Sequence, residues 1–351
     1  MLKSLGSRIK KGIRKSSTYL TPNSNSEILV LLYHRVIDLS LDSQLLAVSP
    51  ANFDSQLHYL VKNYNVINYD ELIASFKNNK FPPRTVCITF DDGYVDNLEI
   101  AKPLLEKYQV PGLFFISTGN IGKDREFWWD ELEQYFLCNR ELPDKLSVKK
   151  SNSKIDFILG DWQTLDEQKT LELRNWNVTQ ASNDNPRLEA FLSCLKLFKP
   201  SDIEQRELYF NQLWEQSSLS TQCRDRYRVM SEAELIKFSD SPLIRIGAHT
   251  VNHCSLSSLA PQRIKEEILS SKNDLAKILR DEPITFSYPF GYTADYGSIA
   301  TKTVRESNFE SAFSVNSQRF DRNSHIYEIP RFQVPNIPDK EFGNWLHSIY
   351  H

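Results

Sequence analysis

Short apolar runs alternate with helical spacings along most of this 351-residue chain, and that alternation restricts the fold more than any other feature. The clearest runs are Ile28–Tyr33, Thr85–Phe90 and Gly112–Ile116, which consist almost entirely of β-branched, aliphatic or aromatic residues. Such runs are typical of strands buried on both faces of a parallel sheet. Because helical patterns separate them, the sequence predicts an α/β fold with a mainly parallel sheet.

The alternation stops in the middle of the chain and then resumes. Residues 120–230 are polar, rich in Lys, Glu, Asn and Trp, and have helical spacings with few strand signals. The stretch EFWWDELEQYFL opens this region as a predicted amphipathic helix, and 165–176 and 188–198 read as two more. We therefore predict a basic segment at 1–26, one α/β domain made of 27–119 and 231–351, and a largely helical insertion at 120–230.

Two adjacent carboxylates, Asp91 and Asp92, follow the Thr85–Phe90 run and precede Gly93. In α/β folds, catalytic groups collect at the carboxyl ends of the strands. Two neighbouring anions in a half-buried site are unfavourable unless a cation or a shared proton offsets them. The pair therefore indicates a metal ion or a shared proton, with the alternative that Asp92 only caps the following helix.

A pair of histidines four residues apart, His249 and His253, follows a later predicted strand. If the segment forms one helical turn, this spacing places both imidazoles on one face, where they can chelate zinc or a similar ion. A catalytic zinc needs a third ligand and an open position for water. One of the two aspartates would be that ligand and the other would be free to act as a base. The alternative is two solvent-facing histidines beside a loop.

A third apolar run ends in Pro289-Phe290-Gly291, within the stretch ITFSYPFGYTADY. Backbone N–H groups in such a turn can point at a developing oxyanion. By itself this pattern is common at loop ends.

Together, TFDDG, HTVNH and FSYPFG, in this order, resemble the motifs of the polysaccharide deacetylases, the fourth carbohydrate esterase family, also called the NodB-type domain. The resemblance covers about 27–120 and 230–335. It implies a distorted (β/α) barrel and a divalent-metal amide hydrolase, most simply a Zn²⁺ enzyme, that removes acetyl groups from N-acetylated sugars. It further implies Asp91 as the general base, the trio Asp92, His249 and His253 as metal ligands, and the Phe290 amide as an oxyanion donor.

The sequence departs from the family pattern at two positions. Many members carry an arginine in the third motif that pairs with the catalytic aspartate, whereas this chain has Ser287-Tyr288 there. Arg331, in YEIPRF, is the candidate substitute, with an ordinary surface arginine as the alternative. The family's late Leu-x-His, often the general acid, has no clear match. We take His325 as the candidate acid, and expect His34, at another strand end, to line the same pocket.

Aromatic residues supply the expected substrate contacts. Trp128 and Trp129 open the insertion and would form a sugar-stacking wall, because aromatic faces suit the apolar faces of pyranoses. The alternative is that they anchor the insertion to the barrel. Tyr94 and Tyr288, next to the first and third motifs, complete the set of candidate contacts.

Two other functions compete with glycan deacetylation. The same fold serves hydrolases of non-sugar amides, and nothing in the sequence fixes the pocket. A carbohydrate-binding relic is the non-enzymatic alternative, but a relic has no physical reason to retain a costly cluster of charges. Metal content separates the relic from an enzyme, and acetate release from sugar or non-sugar amides separates the two enzymes.

Charge and cysteine content indicate which partners and which cellular compartment to expect. The net charge of −3 gives no indication of nucleic-acid binding. The five cysteines include no Cys-x-x-Cys pair and fit a reducing compartment. The N-terminal 20 residues carry six Lys or Arg without the pattern of a signal peptide. We expect a cytoplasmic protein that acts on a lipid-linked or nucleotide-linked glycan precursor. Its basic terminus would contact anionic lipid at the inner membrane face or be simply solvated.

Overall fold

A computed structural model of the chain describes residues 27–150, 153–217, 219 and 222–350. The predicted basic segment 1–26, with its expected lipid contact, lies outside these residues. Within them, the dominant feature is a parallel sheet of eight strands, as the alternating pattern predicts. No helix in the described ranges is long and apolar enough to cross a bilayer.

The strands of the described ranges are β1 (Ile28–Tyr33), β2 (Arg35–Val36), β3 (Ala47–Val48), β4 (Asn65–Ile67), β5 (Thr85–Phe90), β6 (Gly112–Ile116), β7 (Lys145–Lys150), β8 (Ser153–Ile158), β9 (Ile244–Ala248), β10 (Thr285–Ser287), β11 (Ser311–Phe313) and β12 (Phe332–Gln333). The large sheet has the order β11-β10-β9-β6-β5-β1-β12, and β4 pairs with the start of β5. Central strand β5 is buried throughout and runs parallel to β1 in register, with Tyr33 opposite Phe90. The carboxyl ends of these strands therefore lie at one edge of the sheet.

The segment 326–334 closes the sheet into a distorted barrel. At its start, Ile329 exchanges backbone hydrogen bonds with β11, where its N–H donates to the carbonyl of Ala312. At its end, β12 pairs with β1, and the Val334 N–H donates to the Leu32 carbonyl. One irregular strand therefore joins both edges, and the expected distorted (β/α) barrel is confirmed.

Helices surround the barrel and build most of the insertion: α1 (Pro50–Asn63), α2 (Tyr69–Lys77), α3 (Lys102–Tyr108), α4 (Trp128–Glu133), α5 (Glu167–Arg174), α6 (Pro186–Phe198), α7 (Ile203–Gln216), α8 (Glu232–Ser239), α9 (Pro261–Leu279), α10 (Thr293–Glu306) and α11 (Asp339–Tyr350). Local sequence sets several of their starts. Asn68 with Glu71, and Ser231 with Glu234, form capping boxes that satisfy the first N–H groups of α2 and α8.

Side chains alternate between the two faces of the central strands. On β1, Leu29 and Leu31 belong to the large cluster that packs against the surrounding helices. Ile28 and Val30 belong to a smaller cluster on the opposite face, inside the barrel, with Phe115 and Phe313. Because both faces are covered, these strands read as continuous apolar runs in the sequence.

The insertion has its own hydrophobic cluster, which contains residues from Phe127 to Val229 together with Leu41 and Tyr94 of the barrel. Four helices lie within the predicted insertion 120–230, together with an antiparallel hairpin, β7–β8, that was not predicted. Its strands are mostly polar and partly exposed, so they carry no strong apolar alternation. Glutamines of α7 stabilise it instead: Gln216 accepts a hydrogen bond from the Ser147 N–H and Gln212 one from the Lys149 N–H.

The stretch EFWWDELEQYFL is not the amphipathic helix that its spacing predicts. Helix α4 is buried on all sides, including Asp130, Glu131 and Glu133, because it lies between the barrel and the insertion. Arginines offset the buried carboxylates. Arg224 pairs with Glu133 and Glu126 at 2.9 and 2.8 Å, and Arg125 pairs with Glu131 at 2.7 Å.

Candidate active site

The predicted site residues meet at the carboxyl edge of the barrel. Asp91 and Asp92 follow β5, His249 follows β9, and Arg331 precedes β12. These strands are distant in sequence but share one edge of a closed parallel sheet, so their terminal side chains converge.

A trio of buried side chains, Asp92, His249 and His253, has the arrangement of a metal site. Their ligand atoms all lie within 4.8 Å of one another. Asp92 Oδ1 is 3.6 Å from His249 Nε2 and 3.4 Å from His253 Nε2. Two ligands bound to a tetrahedral zinc at 2.0–2.1 Å would be separated by roughly 3.3 Å. The spacing therefore fits a small divalent ion.

The environment of Asp92 provides an independent test of that fit. Its Oδ1 is buried and has no hydrogen-bond partner among the described residues. Burial raises the pKa of Asp92 well above its ordinary value, and the charge of Asp91 adds to the rise. An unpartnered carboxylate oxygen between two imidazoles is unfavourable unless a cation binds there. The residues present therefore fit a metal ion.

The chelating pair of histidines does not lie on a helical turn, so that expectation is wrong. Thr250 and His253 adopt left-handed backbone conformations with φ of 63° and 47°. The Thr250 hydroxyl accepts a hydrogen bond from the His253 N–H at 3.1 Å, which holds a compact loop. The loop brings the two imidazole centroids to 4.9 Å, so the chelating geometry forms without a helix.

One histidine of the pair is fixed by a second hydrogen bond. His249 Nδ1 donates to the Ser287 carbonyl at 2.7 Å, which leaves Nε2 free to face Asp92. Burial lowers the pKa of His249, and burial together with the charge of His249 lowers that of His253 further. Both imidazoles are therefore neutral near pH 7, as metal ligation requires.

Asp91 lies 3.8 Å from His249 Nε2 and is paired with Arg331. The guanidinium donates to both carboxylate oxygens at 2.7 Å, and both side chains are buried. Ser287 bridges the pair, since its hydroxyl accepts from Arg331 at 2.8 Å and donates to Asp91 at 3.2 Å. Burial alone would raise the pKa of Asp91, but Arg331 and His249 bring it below its ordinary value. Asp91 is therefore an oriented, ionised carboxylate, and the arginine predicted to substitute for the family's motif residue is in contact with it.

The alternative role of Asp92 as a helix cap is excluded by its backbone. Asp92 has φ of 76°, and the next helical residues begin at Val95, three positions later. Gly93 follows with φ of 88°, and a Cβ there would lie 2.9 Å from the Ile116 side chain. The two left-handed residues turn the chain sharply after β5, so Asp92 points towards His249 and His253 instead of along a helix.

A cavity of about 270 Å³ opens above these groups. The residues that line it are Leu32, His34, Gln44, Leu46, Asp91, Asp92, Trp128, Trp129, Lys199, His249, His253, Phe290, Tyr292, Val315 and Gln333. The predicted residues His34, Trp128, Trp129 and Phe290 are all present. Sequence reasoning missed Lys199, from the end of α6, which pairs with Asp295 at 2.7 Å and lies over the Phe290 ring. No local pattern identified it.

His325, the predicted general acid, lies elsewhere. Its side chain is 59% exposed, is 3.6 Å from Glu328, and lines a different cavity beside α10. This placement argues against a role for His325 in proton transfer. His34 is the histidine that reaches the cavity beside the trio, and burial lowers its pKa to about 4, so it is neutral near pH 7.

The two predicted tyrosine contacts lie behind the cavity wall, so their assignment as substrate residues is corrected. Tyr94 is fully buried; its hydroxyl donates to Asp130 at 2.6 Å and accepts from the Trp129 indole N–H at 3.0 Å. Tyr288 stacks on Tyr296 and donates to the Tyr327 carbonyl. Successive strand residues point to opposite faces, and since Ser287 faces Asp91, Tyr288 faces away.

Parts of the chain resemble known proteins. The family model described as polysaccharide deacetylase matches residues 78–137 and 211–309 and leaves out the middle of the insertion. A poly-beta-1,6-N-acetyl-D-glucosamine N-deacetylase of Staphylococcus aureus is 34% identical over 110 residues, 27% of this chain and 38% of that protein. The putative polysaccharide deacetylase YxkH of Bacillus subtilis is 25% identical over 129 residues, 36% of this chain and 45% of that protein. The chain thus matches less than half the length of these relatives.

Solved structures share the fold over nearly the whole chain. The deacetylase PplD of Streptococcus pyogenes superposes with a TM-score of 0.56 at 16% identity, covering 92% of this chain and 98% of that one. IcaB from Ammonifex degensii gives 0.55 at 16% identity, with 93% and 97% covered. At this identity the likeness establishes the architecture alone.

Proposed function

The chain belongs to the polysaccharide deacetylase family, and on this premise we propose that it is a metal-dependent hydrolase that removes N-acetyl groups from a sugar of a glycan. One observation carries the proposal: the buried Asp91–Arg331 pair lies beside the trio of Asp92, His249 and His253 at the base of a single cavity. This arrangement separates a proton-accepting carboxylate from a ligand carboxylate, which is the division of labour that hydrolysis of an amide by water needs.

The trio would hold the ion. One carboxylate and two neutral imidazoles are ligands typical of a catalytic zinc with an open position, so Zn²⁺ is the metal we propose. Such an ion supplies Lewis-acid polarisation of a carbonyl and lowers the pKa of bound water.

Asp91 would act as the base that takes the proton of the attacking water. Arg331 keeps this carboxylate ionised and fixes both of its oxygens, so it is ready to accept a proton without rearrangement. His325 is remote and His34 is neutral, so we propose that Asp91 itself returns the proton to the leaving nitrogen. Because Arg331 lowers the pKa of Asp91, the protonated carboxyl gives up its proton more readily than an ordinary carboxyl, which favours this second step. Water and the acetamide are then converted into acetate and a free amine.

Phe290 stays the proposed oxyanion donor through its backbone N–H. Phe290 and Gly291 both have left-handed conformations, and the Val315 N–H donates to the Gly291 carbonyl at 2.8 Å. The hydrogen bond from Val315 therefore fixes this turn, in which Phe290 lines the same cavity. A preorganised oxyanion donor requires such a fixed backbone.

The cavity walls support a sugar substrate. Trp128 and Trp129 present aromatic surface to the space above the metal trio, and such surfaces suit the apolar faces of pyranose rings. The relatives named above include a deacetylase of poly-β-1,6-linked N-acetylglucosamine. We propose an N-acetylated amino sugar of this kind as the substrate class.

The test combines metal analysis with an activity assay on the full chain. About one Zn²⁺ per chain, lost in His249→Ala, together with metal-dependent acetate release from N-acetylglucosamine oligomers, would support the proposal. Metal binding without acetate release from any β-1,4- or β-1,6-linked oligomer would overturn the substrate class. A chain that binds no metal after reloading would overturn the mechanism.

A further inference from the structure

A buried arginine of the insertion, Arg206 on α7, reaches the loop that carries a metal-ligand histidine. Arg206 is 1% exposed, and its hydrogen bonds go to backbone carbonyl groups. On one side they reach the end of α6, with Nε 3.0 Å from the Phe198 oxygen and Nη2 3.3 Å from that of Lys199. On the other side Nη1 is 3.0 Å from the Asn252 oxygen, and both terminal nitrogens are 3.4 Å from that of His253.

The loop of residues 250–253 is held from its opposite side by the barrel. Glu267 on α9 accepts hydrogen bonds from the N–H groups of Val251 and Asn252 at 3.0 and 2.8 Å, and from the Asn252 amide at 2.7 Å. A carboxylate thus binds donors of the loop while Arg206 binds the carbonyls of Asn252 and His253. The carbonyls of Thr250 and Val251 accept from the N–H groups of Thr118 and Gly119. Left-handed non-glycine residues are unfavourable by roughly 1–3 kcal/mol each, so a loop with two of them needs such support.

His253 depends on this support more than His249 does. His249 is oriented by its own hydrogen bond to Ser287, whereas His253 Nδ1 is buried with no hydrogen-bond partner among the described residues. The His253 ring is instead packed edge-on against Trp129 and Phe290, at centroid distances of 4.6 and 4.8 Å. Because no hydrogen bond to Nδ1 orients the ring, the position of the His253 backbone decides where Nε2 lies.

We propose that Arg206 is a positioning residue of the metal centre, contributed by the insertion. The inference rests on the proposed metal-dependent function and extends it to the role of the insertion. A positive charge here disfavours a nearby cation, so the benefit is geometric: Arg206 joins the end of α6 to the ligand loop. Its guanidinium also lies 4.8 Å from the centre of the Trp128 ring, so the same contact fixes the cavity wall.

The chain provides a matched control in Arg187. This second buried arginine of the insertion also donates to four backbone carbonyls, those of Phe136, Asn139, Trp162 and Gln163. None of these residues lines the cavity or belongs to the ligand loop. Replacing either arginine by lysine removes a similar network, but only Arg206→Lys releases His253.

The experiment measures the affinity of the full chain for Zn²⁺ by competition with a chromogenic chelator. Arg206→Lys should weaken Zn²⁺ binding about tenfold or more, and Arg187→Lys less than about twofold. The visible spectrum of Co²⁺-loaded protein should change in Arg206→Lys alone, because it reports ligand geometry, while unfolding temperatures of the two metal-free variants should be similar. Equal losses of affinity in both variants, or wild-type affinity in Arg206→Lys, would overturn the inference.

A second variant covers the case in which Arg206→Lys does not fold. Glu267→Met removes the acceptor of the Val251 and Asn252 N–H groups and leaves the insertion intact, so it too should weaken Zn²⁺ binding. Wild-type affinity in Glu267→Met would show that the loop contacts do not control the centre. Absence of Zn²⁺ binding by the unaltered chain is a different result, since it overturns the proposed function itself.

Discussion

Arg331 and Asp91 are 240 positions apart in the sequence, yet their side chains form a buried ion pair with two hydrogen bonds of 2.7 Å. The strand order explains the contact, because β12 and β5 are both neighbours of β1. The pair fixes the protonation state and orientation of the proposed base, and the following predictions depend on it and on the adjacent metal trio.

Asp91→Asn should separate metal binding from catalysis. The amide keeps the shape of the carboxylate but cannot accept a proton, so kcat for acetate release should fall about 100- to 10,000-fold. Zn²⁺ content should stay close to that of the unaltered chain, because Asp92 supplies the ligand oxygen. Activity within a factor of a few of wild type would rule out Asp91 as the base.

Arg331→Met should shift the acidic limb of the pH–rate profile. Burial raises the pKa of Asp91 and Arg331 opposes that rise, so without the guanidinium the pKa of Asp91 increases. The base must be ionised, hence the acidic limb of kcat/KM should move to higher pH, with residual activity recovering in alkaline buffer. A profile of unchanged shape at reduced height would mean that Arg331 acts only in folding.

Removal of the metal should lower the melting temperature, and Asp92→Asn should abolish that response. Zn²⁺ at about 100 times its dissociation constant stabilises the native state by about 2.7 kcal/mol, which calorimetry detects as a rise of several degrees. Without metal, Asp92→Asn should melt above the unaltered protein, because it removes a buried carboxylate that Asp91 repels. A metal-free Asp92→Asn protein less stable than the metal-free parent would contradict this account.

His34 and His325 should differ sharply in their effect on activity. His34 lines the cavity and His325 lies outside it, so His34→Gln should reduce kcat/KM for N-acetylglucosamine oligomers, whereas His325→Ala should leave it within about twofold. Steady-state acetate release measures both. A large loss in His325→Ala would restore that histidine as a proton donor.

Trp128→Ala should weaken substrate binding more than a tryptophan change elsewhere in the insertion. Aromatic contacts of this type contribute about 0.5–1.5 kcal/mol, so KM should increase roughly 2- to 10-fold. Trp162→Ala serves as the control, because Trp162 belongs to the insertion but not to the cavity. Equal changes of KM in both variants would favour the alternative in which the Trp128 side chain only anchors the insertion.

Local sequence determined much of this protein. Apolar runs specify parallel strands buried on both faces, and capping residues such as Asn68 specify helix starts. Polar residues that directly follow the strands must meet at one edge of the sheet, so Asp91, Asp92 and His249 were identified before any contact was known. These conclusions follow from short-range patterns and from the topology that those patterns impose.

Other features depend on contacts between distant segments. Which late histidine reaches the cavity is decided by the path of the irregular chain after β11, and sequence favoured His325 over His34. A left-handed loop brings His253 beside Asp92. The four-residue spacing from His249 to His253 is also that of a helical turn, because spacing in the sequence does not reveal the sign of φ. The contributions of Lys199 and Arg206 come from docking of the insertion, which is set by packing of side chains over long separations and not by any local pattern.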